Sequence, residues 1–235
     1  MAEQRSCLDK PAARSTQVTD TCPQLPAPPS KLALTIKQWQ PGTVLHRVHL
    51  SRYAAAQFNP GLQGNARFSP IQNEHGQPVP TLYAGATLDC VLMETVFHDV
   101  PFAPGFKSLD KQKLQGQMHA ILSLHHPLQL VDLSSIALRK LGIRRKQLID
   151  TDKEAYPYTR QWAEAIHHQC PTAQGLSWVS RQDDAAHAFV LFGDRIPDGT
   201  LIPIAEPVPL LDEAERQDAV FLLAERIGVL IVSGI

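Results

Sequence analysis

Glu94 lies inside the run Leu88-Asp89-Cys90-Val91-Leu92-Met93-Glu94-Thr95-Val96-Phe97. If that run is helical, apolar side chains surround the carboxylate in almost every direction. A carboxylate there costs several kcal/mol unless it has a partner or a task. A cation or a polarised substrate is therefore expected beside it. Arg47, in Leu45-His46-Arg47-Val48-His49, and Arg67, in Asn65-Ala66-Arg67-Phe68-Ser69-Pro70, precede it, followed by Tyr83 in Thr81-Leu82-Tyr83-Ala84-Gly85. Guanidinium forks grip anions, and an aromatic face attracts a cation. A cleft built from these four residues suits an anionic, planar, partly cationic ligand, with Arg52 as a spare arginine. Each has a plainer alternative: a buried ion pair from Glu94 to Arg47 or Arg67, solvated arginines, and Tyr83 as core.

The histidines do not suggest a metal. His46 and His49 fall on opposite faces of a strand, and the pairs His125-His126 and His167-His168 turn adjacent rings apart, so no convergent ligand spacing is present. Glu94 and His98 are one helical turn apart, a spacing that allows a hydrogen bond orienting the carboxylate. Trp178 and Phe192 read as core, and Asp194-Arg195 as a local ion pair.

These residues need elements to hold them. A chain of 235 residues with 43% hydrophobic content can bury a full core, most simply as one domain with a tail. Lys plus Arg number 22 against 23 Asp plus Glu, so no net field draws the chain by itself to nucleic acid or an anionic membrane. Cys7, Cys22, Cys90 and Cys170 are far apart, which speaks against a zinc ribbon or a disulfide framework and for a reducing cytosol. There is neither a signal-peptide pattern nor a run of the roughly 18 apolar residues of a membrane span. A soluble cytoplasmic protein is the expectation.

Residues 1–31, rich in proline, read as a flexible leader, and residues 32–235 as the folded domain. The patterns predict strands over 44–50 and 81–84, then the Glu94 helix ending before Pro101. Strands over 118–124 and 128–133, separated by His125-His126-Pro127, give a hairpin signal. Helices follow over 134–141, 145–149 and 159–168, the last just after Pro157. Further strands are expected over 176–179, 187–192 and 208–210. Asp212 caps a helix over 213–227, Gly228 ends it, and a strand over 229–232 closes the chain. Strands scattered among single helices, without βαβ regularity or a glycine fingerprint, point to an α+β fold.

Seven segments together resemble the RES-domain family, named for its Arg, Glu and Ser. They are L-H-R-V-H at 45–49, F-N-P-G at 58–61, A-R-F-S-P at 66–70, T-L-Y-A at 81–84, M-E-T-V-F-H-D-V-P at 93–101, G-L-S-W-V-S-R at 175–181 and V-L-F-G-D-R at 190–195. Singly each is weak; in this order, over roughly residues 43–195, they are specific. Val179 stands where many members carry proline. The resemblance adds Ser180 to the candidate site, because a serine at a strand end is otherwise an ordinary turn former.

The resemblance implies an ADP-ribosyltransferase-like fold, mixed sheets with flanking helices around an NAD cleft, and consumption of NAD as substrate. The bond between nicotinamide and ribose breaks, and ADP-ribose passes to inorganic phosphate, to water or, in some relatives, to a protein. Glu94, Arg47 and Ser180 would be catalytic, and Arg47, Arg67, Tyr83 and Ser180 would hold NAD, without a metal. The residues suit that chemistry: guanidinium forks for the pyrophosphate, an aromatic face for the cationic ring, and a fixed carboxylate for the oxocarbenium-like state. The resemblance also implies a toxin neutralised by a helix-turn-helix antitoxin, in homo-oligomeric or toxin-antitoxin assemblies. Phe58, Phe102 and Phe106 offer an apolar rim for such a partner. The rival readings are a protein ADP-ribosyltransferase and an inactive module that binds a nucleotide or a partner without turnover.

Overall fold

A computed structural model describes residues 25–234. In chain order the elements are β1 (Ile36–Trp39), β2 (Val44–Leu50), β3 (Thr81–Gly85), α1 (Leu88–Thr95), β4 (Lys107–Asp110), β5 (Gln117–Leu124), β6 (Leu128–Asp132), α2 (Ser135–Leu141), α3 (Arg145–Leu148), α4 (Tyr156–Gln169), β7 (Gly175–Val179), β8 (His187–Phe192), β9 (Leu201–Pro203), β10 (Val208–Pro209), α5 (Ala214–Arg226) and β11 (Val229–Val232). The fold is α+β. One mixed sheet runs β1-β6-β7-β8-β3-β2-β5-β10, with β9 also on β5, and a separate parallel pair joins β4 to β11. Within the large sheet only β6 and β7 pair in parallel, as their connection through α2, α3 and α4 requires; the other neighbours are antiparallel.

The hairpin expected over 118–133 does not form. β5 pairs with β2, β9 and β10, while β6 pairs with β1 and β7. Only residues 125–127 join the two, and a link that short spans no more than about 14 Å. The sheet therefore curls until its distant parts approach each other, enclosing Leu45, Leu122, Leu124, Leu128, Leu130, Phe189 and Leu191 in one core. On another face, α4 supplies Trp162, Ala163 and Ile166 to a cluster with Val131, Leu176, Val190 and Phe192. Trp162 is fully buried, and truncating it to Ala should cost about 3–5 kcal/mol. A third cluster, around Val48, Leu92, Phe97, Leu210 and Leu223, seats α1 and α5 against β2.

Helix ends follow local chemistry. α4 begins at Tyr156 rather than at 159, because Pro157 occupies the first turn, where its missing N–H removes no bond. The cap of α5 is Glu213, not Asp212: its carboxylate accepts from the N–H groups of Glu215 and Arg216. Gly228, at φ 69°, donates its N–H to Glu225 O and ends the helix in the left-handed region.

Of the leader expected over 1–31, residues 1–24 lie outside the described residues. Residues 25–31 run without regular structure along α4. Trp162 Nε1 donates to Pro26 O at 2.8 Å, Gln169 Nε2 donates to Pro29 O at 3.0 Å, and Leu25 packs on the core. Among the described residues no helix is long and apolar enough to cross a membrane.

Candidate functional site

A tight turn between β3 and α1 sets the site. Gly85 is required there by close approach, since a Cβ would lie 3.0 Å from Val91 N and 3.1 Å from Cys90 Sγ. Thr87 caps the helix by accepting from Cys90 N at 3.1 Å. Tyr83 on the strand and Glu94 on the helix then face one cavity of about 330 Å³, which Arg67, His98, Asp99, Lys153, Tyr156 and Trp178 also line. That volume lies at the small end of the ligand-pocket range.

Glu94 is half-buried on the cavity wall, not enclosed by apolar side chains. α1 ends one residue later, at Thr95, so its apolar neighbours turn into the core while the carboxylate faces the opening. Its partner is a hydroxyl. Ser180, at the end of β7 and fully buried, donates its Oγ proton to Glu94 Oε1 at 2.6 Å. The same Oγ accepts from Gln182 N and Asp183 N, each at 3.0 Å. Arg145 Nη2 holds the carbonyl of Ser180 at 3.0 Å. Ser180 thus stands behind Glu94 and is not part of the cavity wall.

Arg67 projects from the loop before β3, which a backbone bridge between Ala66 and Ser69 pins in place. The Tyr83 hydroxyl accepts from Phe68 N at 3.0 Å, and burial pushes this phenol up to about 12. Arg67 Nη1 donates to the carbonyl and hydroxyl of Thr151, and the guanidinium lies 5.1 Å over the Tyr156 ring. Arg181 donates to the same Thr151 carbonyl, so two cations share one acceptor. Burial holds Arg67 below the usual guanidinium range. Two buried donors among the cavity-lining residues, Arg67 Nη2 and Trp178 Nε1, have no acceptor among the described residues.

Arg47 lies elsewhere. It is buried on β2, donates to Ala55 O at 2.6 Å, and is pushed down to about 10 by burial. It lines a neighbouring hollow of about 250 Å³ that shares Ala66 and Tyr83 with the Glu94 cavity. On another side a more open hollow of about 470 Å³, with Lys153, Arg181 and Phe102, shares His98, Asp99, Lys153 and Tyr156. The result is a row of three adjoining hollows. Arg67, Tyr83 and Glu94 meet in the first, Arg47 reaches the second, and Ser180 supports from below.

Some expectations fail on geometry. His98 does not orient Glu94, because α1 has ended before it; its Nδ1 bonds Asp99 and its Nε2 bonds the Tyr156 hydroxyl. Asp194 pairs with His167 at 2.9 Å, while Arg195 donates to the carbonyls of His167, Cys170 and Ala173. Phe192 is core, as read, but Trp178, though buried, borders the cavity. Phe102 and Phe106 are 75% and 80% exposed, whereas Phe58 packs inward on the core and against Gly193. Tyr156, Thr151, Lys153 and Arg181 border these hollows without being sequence candidates. Two signals are legible: Tyr156 immediately precedes a proline able to open a helix, and Arg181 closes the G-L-S-W-V-S-R segment.

Cys90 is no nucleophile. It is fully buried, donates to His187 O, and is pushed up to about 12, chiefly by burial and then by Glu94 and Asp183. Among the described residues no three His, Cys, Asp or Glu side chains gather at metal-binding distance. A carboxylate, guanidiniums and aromatic rings in this arrangement are chemically able to bind an oxygen-rich anion and to stabilise a cation next to it. Compared with known families, the chain matches the family described as RES domain over residues 44–213, from the first residue of β2 to the cap of α5. A search of the curated proteins finds no match.

Proposed function

We propose that this chain, which belongs to the RES-domain family, cleaves the nicotinamide–ribose bond of NAD and is the toxin of a toxin–antitoxin pair. RES domains are known in such systems. The observation that carries the reading is Glu94: a carboxylate on a cavity wall, fixed by Ser180 at 2.6 Å, beside a buried arginine and two tyrosines. Breaking an N-glycosidic bond builds positive charge on the ribose ring, and a preset carboxylate stabilises that charge without having to reorganise.

The remaining residues divide the ligand between them. Arg67, with Tyr83 and Tyr156 nearby, serves the ribose and nicotinamide end. Arg47, in the adjoining hollow, serves the phosphates, because an extended dinucleotide needs more than one such hollow. The orphan donors on Arg67 and Trp178 support an acceptor-rich ligand. The mixed sheet with helices on its faces supports the ADP-ribosyltransferase-like reading of the fold. ADP-ribose passes to phosphate or water, and cytosolic NAD is the pool drained.

A cleft that drains NAD calls for control by a partner. We assign that role to a helix-turn-helix antitoxin, for which Phe102, exposed on the rim of the open hollow, and the exposed Phe106 offer apolar contact area. The test is incubation of the pure chain with NAD, with free nicotinamide as the readout, alongside growth and NAD content of bacteria expressing the chain. Nicotinamide release, arrested growth and falling NAD support the reading. Soluble folded protein that binds NAD without releasing nicotinamide, in cells that grow normally, would favour the inactive binding module.

A further inference from the structure

A second line of hydrogen bonds ends at the same cavity, and the cleavage chemistry assigned to Glu94 leaves it unused. Lys153 Nζ stands 2.6 Å from Asp99 Oδ2, Asp99 Oδ1 2.8 Å from His98 Nδ1, and His98 Nε2 2.9 Å from the Tyr156 hydroxyl. Chemistry fixes its direction. Lys153 and then His98 hold the Asp99 carboxyl below its usual range, so Asp99 is an acceptor and His98 Nδ1 carries a proton. In the neutral ring Nε2 is then the acceptor, and Tyr156 donates its hydroxyl proton to it. Tyr156 is almost fully buried, its ring lies under Arg67, and it borders both the Glu94 cavity and the open hollow.

We propose that Asp99, His98 and Tyr156 form a proton-accepting relay for a neutral hydroxyl acceptor, water being the simplest, that attacks the ribose carbon of bound NAD. This rests on the NAD-cleaving reading of the site. As the new oxygen–carbon bond forms, the carbon–nitrogen bond to nicotinamide breaks and its electron pair leaves with the nicotinamide, which departs neutral. The proton of the attacking hydroxyl passes to the Tyr156 oxygen while the Tyr156 proton passes to His98 Nε2. Asp99 then holds the imidazolium. An anionic nucleophile brings no proton that must be removed, so the relay serves water and is idle for an anion. Tyr156 touches the acceptor and is catalytic in this scheme, whereas His98 and Asp99 are positioning residues that act through it.

The test compares nicotinamide release by the unmodified chain, Tyr156→Phe, His98→Gln and Asp99→Asn. Each is assayed in phosphate-free buffer, where water is the acceptor, and again with added azide as an anionic nucleophile. Phenylalanine keeps the ring beneath Arg67. In water, kcat should fall roughly 100-fold for Tyr156→Phe and His98→Gln and less for Asp99→Asn, with little change in KM. Azide-dependent release should fall far less than release in water in all three, and an unchanged urea midpoint shows that each variant is folded. Equal losses in both media, or no loss in either, would overturn the relay. If the unmodified chain releases no nicotinamide in either medium, the NAD-cleaving reading itself falls, and the relay with it.

Discussion

Ser180 Oγ stands 2.6 Å from Glu94 Oε1, and every bonding position of that hydroxyl is filled. Two backbone N–H groups, from Gln182 and Asp183, take its lone pairs, so its single proton has only the carboxylate to go to. A hydroxyl in this position cannot rotate away or serve a ligand without breaking a turn. It fixes one oxygen of Glu94 and leaves the other free to act in the cavity.

Ser180→Ala removes the donor and also leaves two turn N–H groups without their acceptor. Stability should fall by about 2 kcal/mol, read as a lower urea midpoint. Turnover of NAD should fall roughly 100-fold, because a carboxylate displaced by about an ångström is no longer aimed. The loss should sit in kcat with KM almost unchanged, since Ser180 is not on the cavity wall. A rise in KM at unchanged kcat would instead make Ser180 a ligand contact.

Arg47→Ala and Arg67→Lys should each weaken NAD binding by about 2 kcal/mol, close to 30-fold in Kd. Lysine fails at 67 because a point charge cannot both reach Thr151 and present a second donor to the cavity. Calorimetric titration with NAD on an inactive background measures both. An unchanged Kd for Arg47→Ala would confine the ligand to the Glu94 cavity.

His119 is buried on β5, with its Nε2 3.0 Å from His46 Nδ1 and the two rings stacked 5.2 Å apart. Burial first, then His46 and Arg216, push it down from 6.5 to about 4. Between those values the unfolded chain holds more protons than the folded one, so stability is full at neutral pH and declines as pH falls. At pH 5 this group alone should cost about 2 kcal/mol relative to pH 7. Urea unfolding of the unmodified chain and of His119→Gln at both pH values measures it. The variant should lose less stability on acidification, and parallel losses would remove His119 as a source.

Local pattern made much of this fold legible, and long-range pairing hid the rest. β2, β8 and β11 fall where their alternation and apolar runs predicted them, because such strands carry their burial in their own sequence. The false hairpin shows the limit: Leu124 and Leu128 look like two arms of a turn, but their pairing partners lie far away in the chain. The cavity is read with the same asymmetry. Arg67, Tyr83 and Glu94 line one cavity, whereas Arg47 lines a second hollow beside it. Tyr156 is hidden in the sequence because Pro157 reads as the boundary of a helix whose first turn it occupies. Glu94 reads as enclosed only if α1 runs on past Thr95, where it ends.

The most direct test of the account is nicotinamide release from NAD by the full chain beside Glu94→Gln. The amide keeps the shape of the carboxylate and can still accept the Ser180 proton, but it offers no negative charge to the ribose. The account predicts steady release by the unmodified chain and a loss of about 3 kcal/mol or more of transition-state stabilisation in the variant, beyond 100-fold in rate, with an unchanged urea midpoint. Equal release by both proteins would contradict it, because the cleavage would then owe nothing to Glu94.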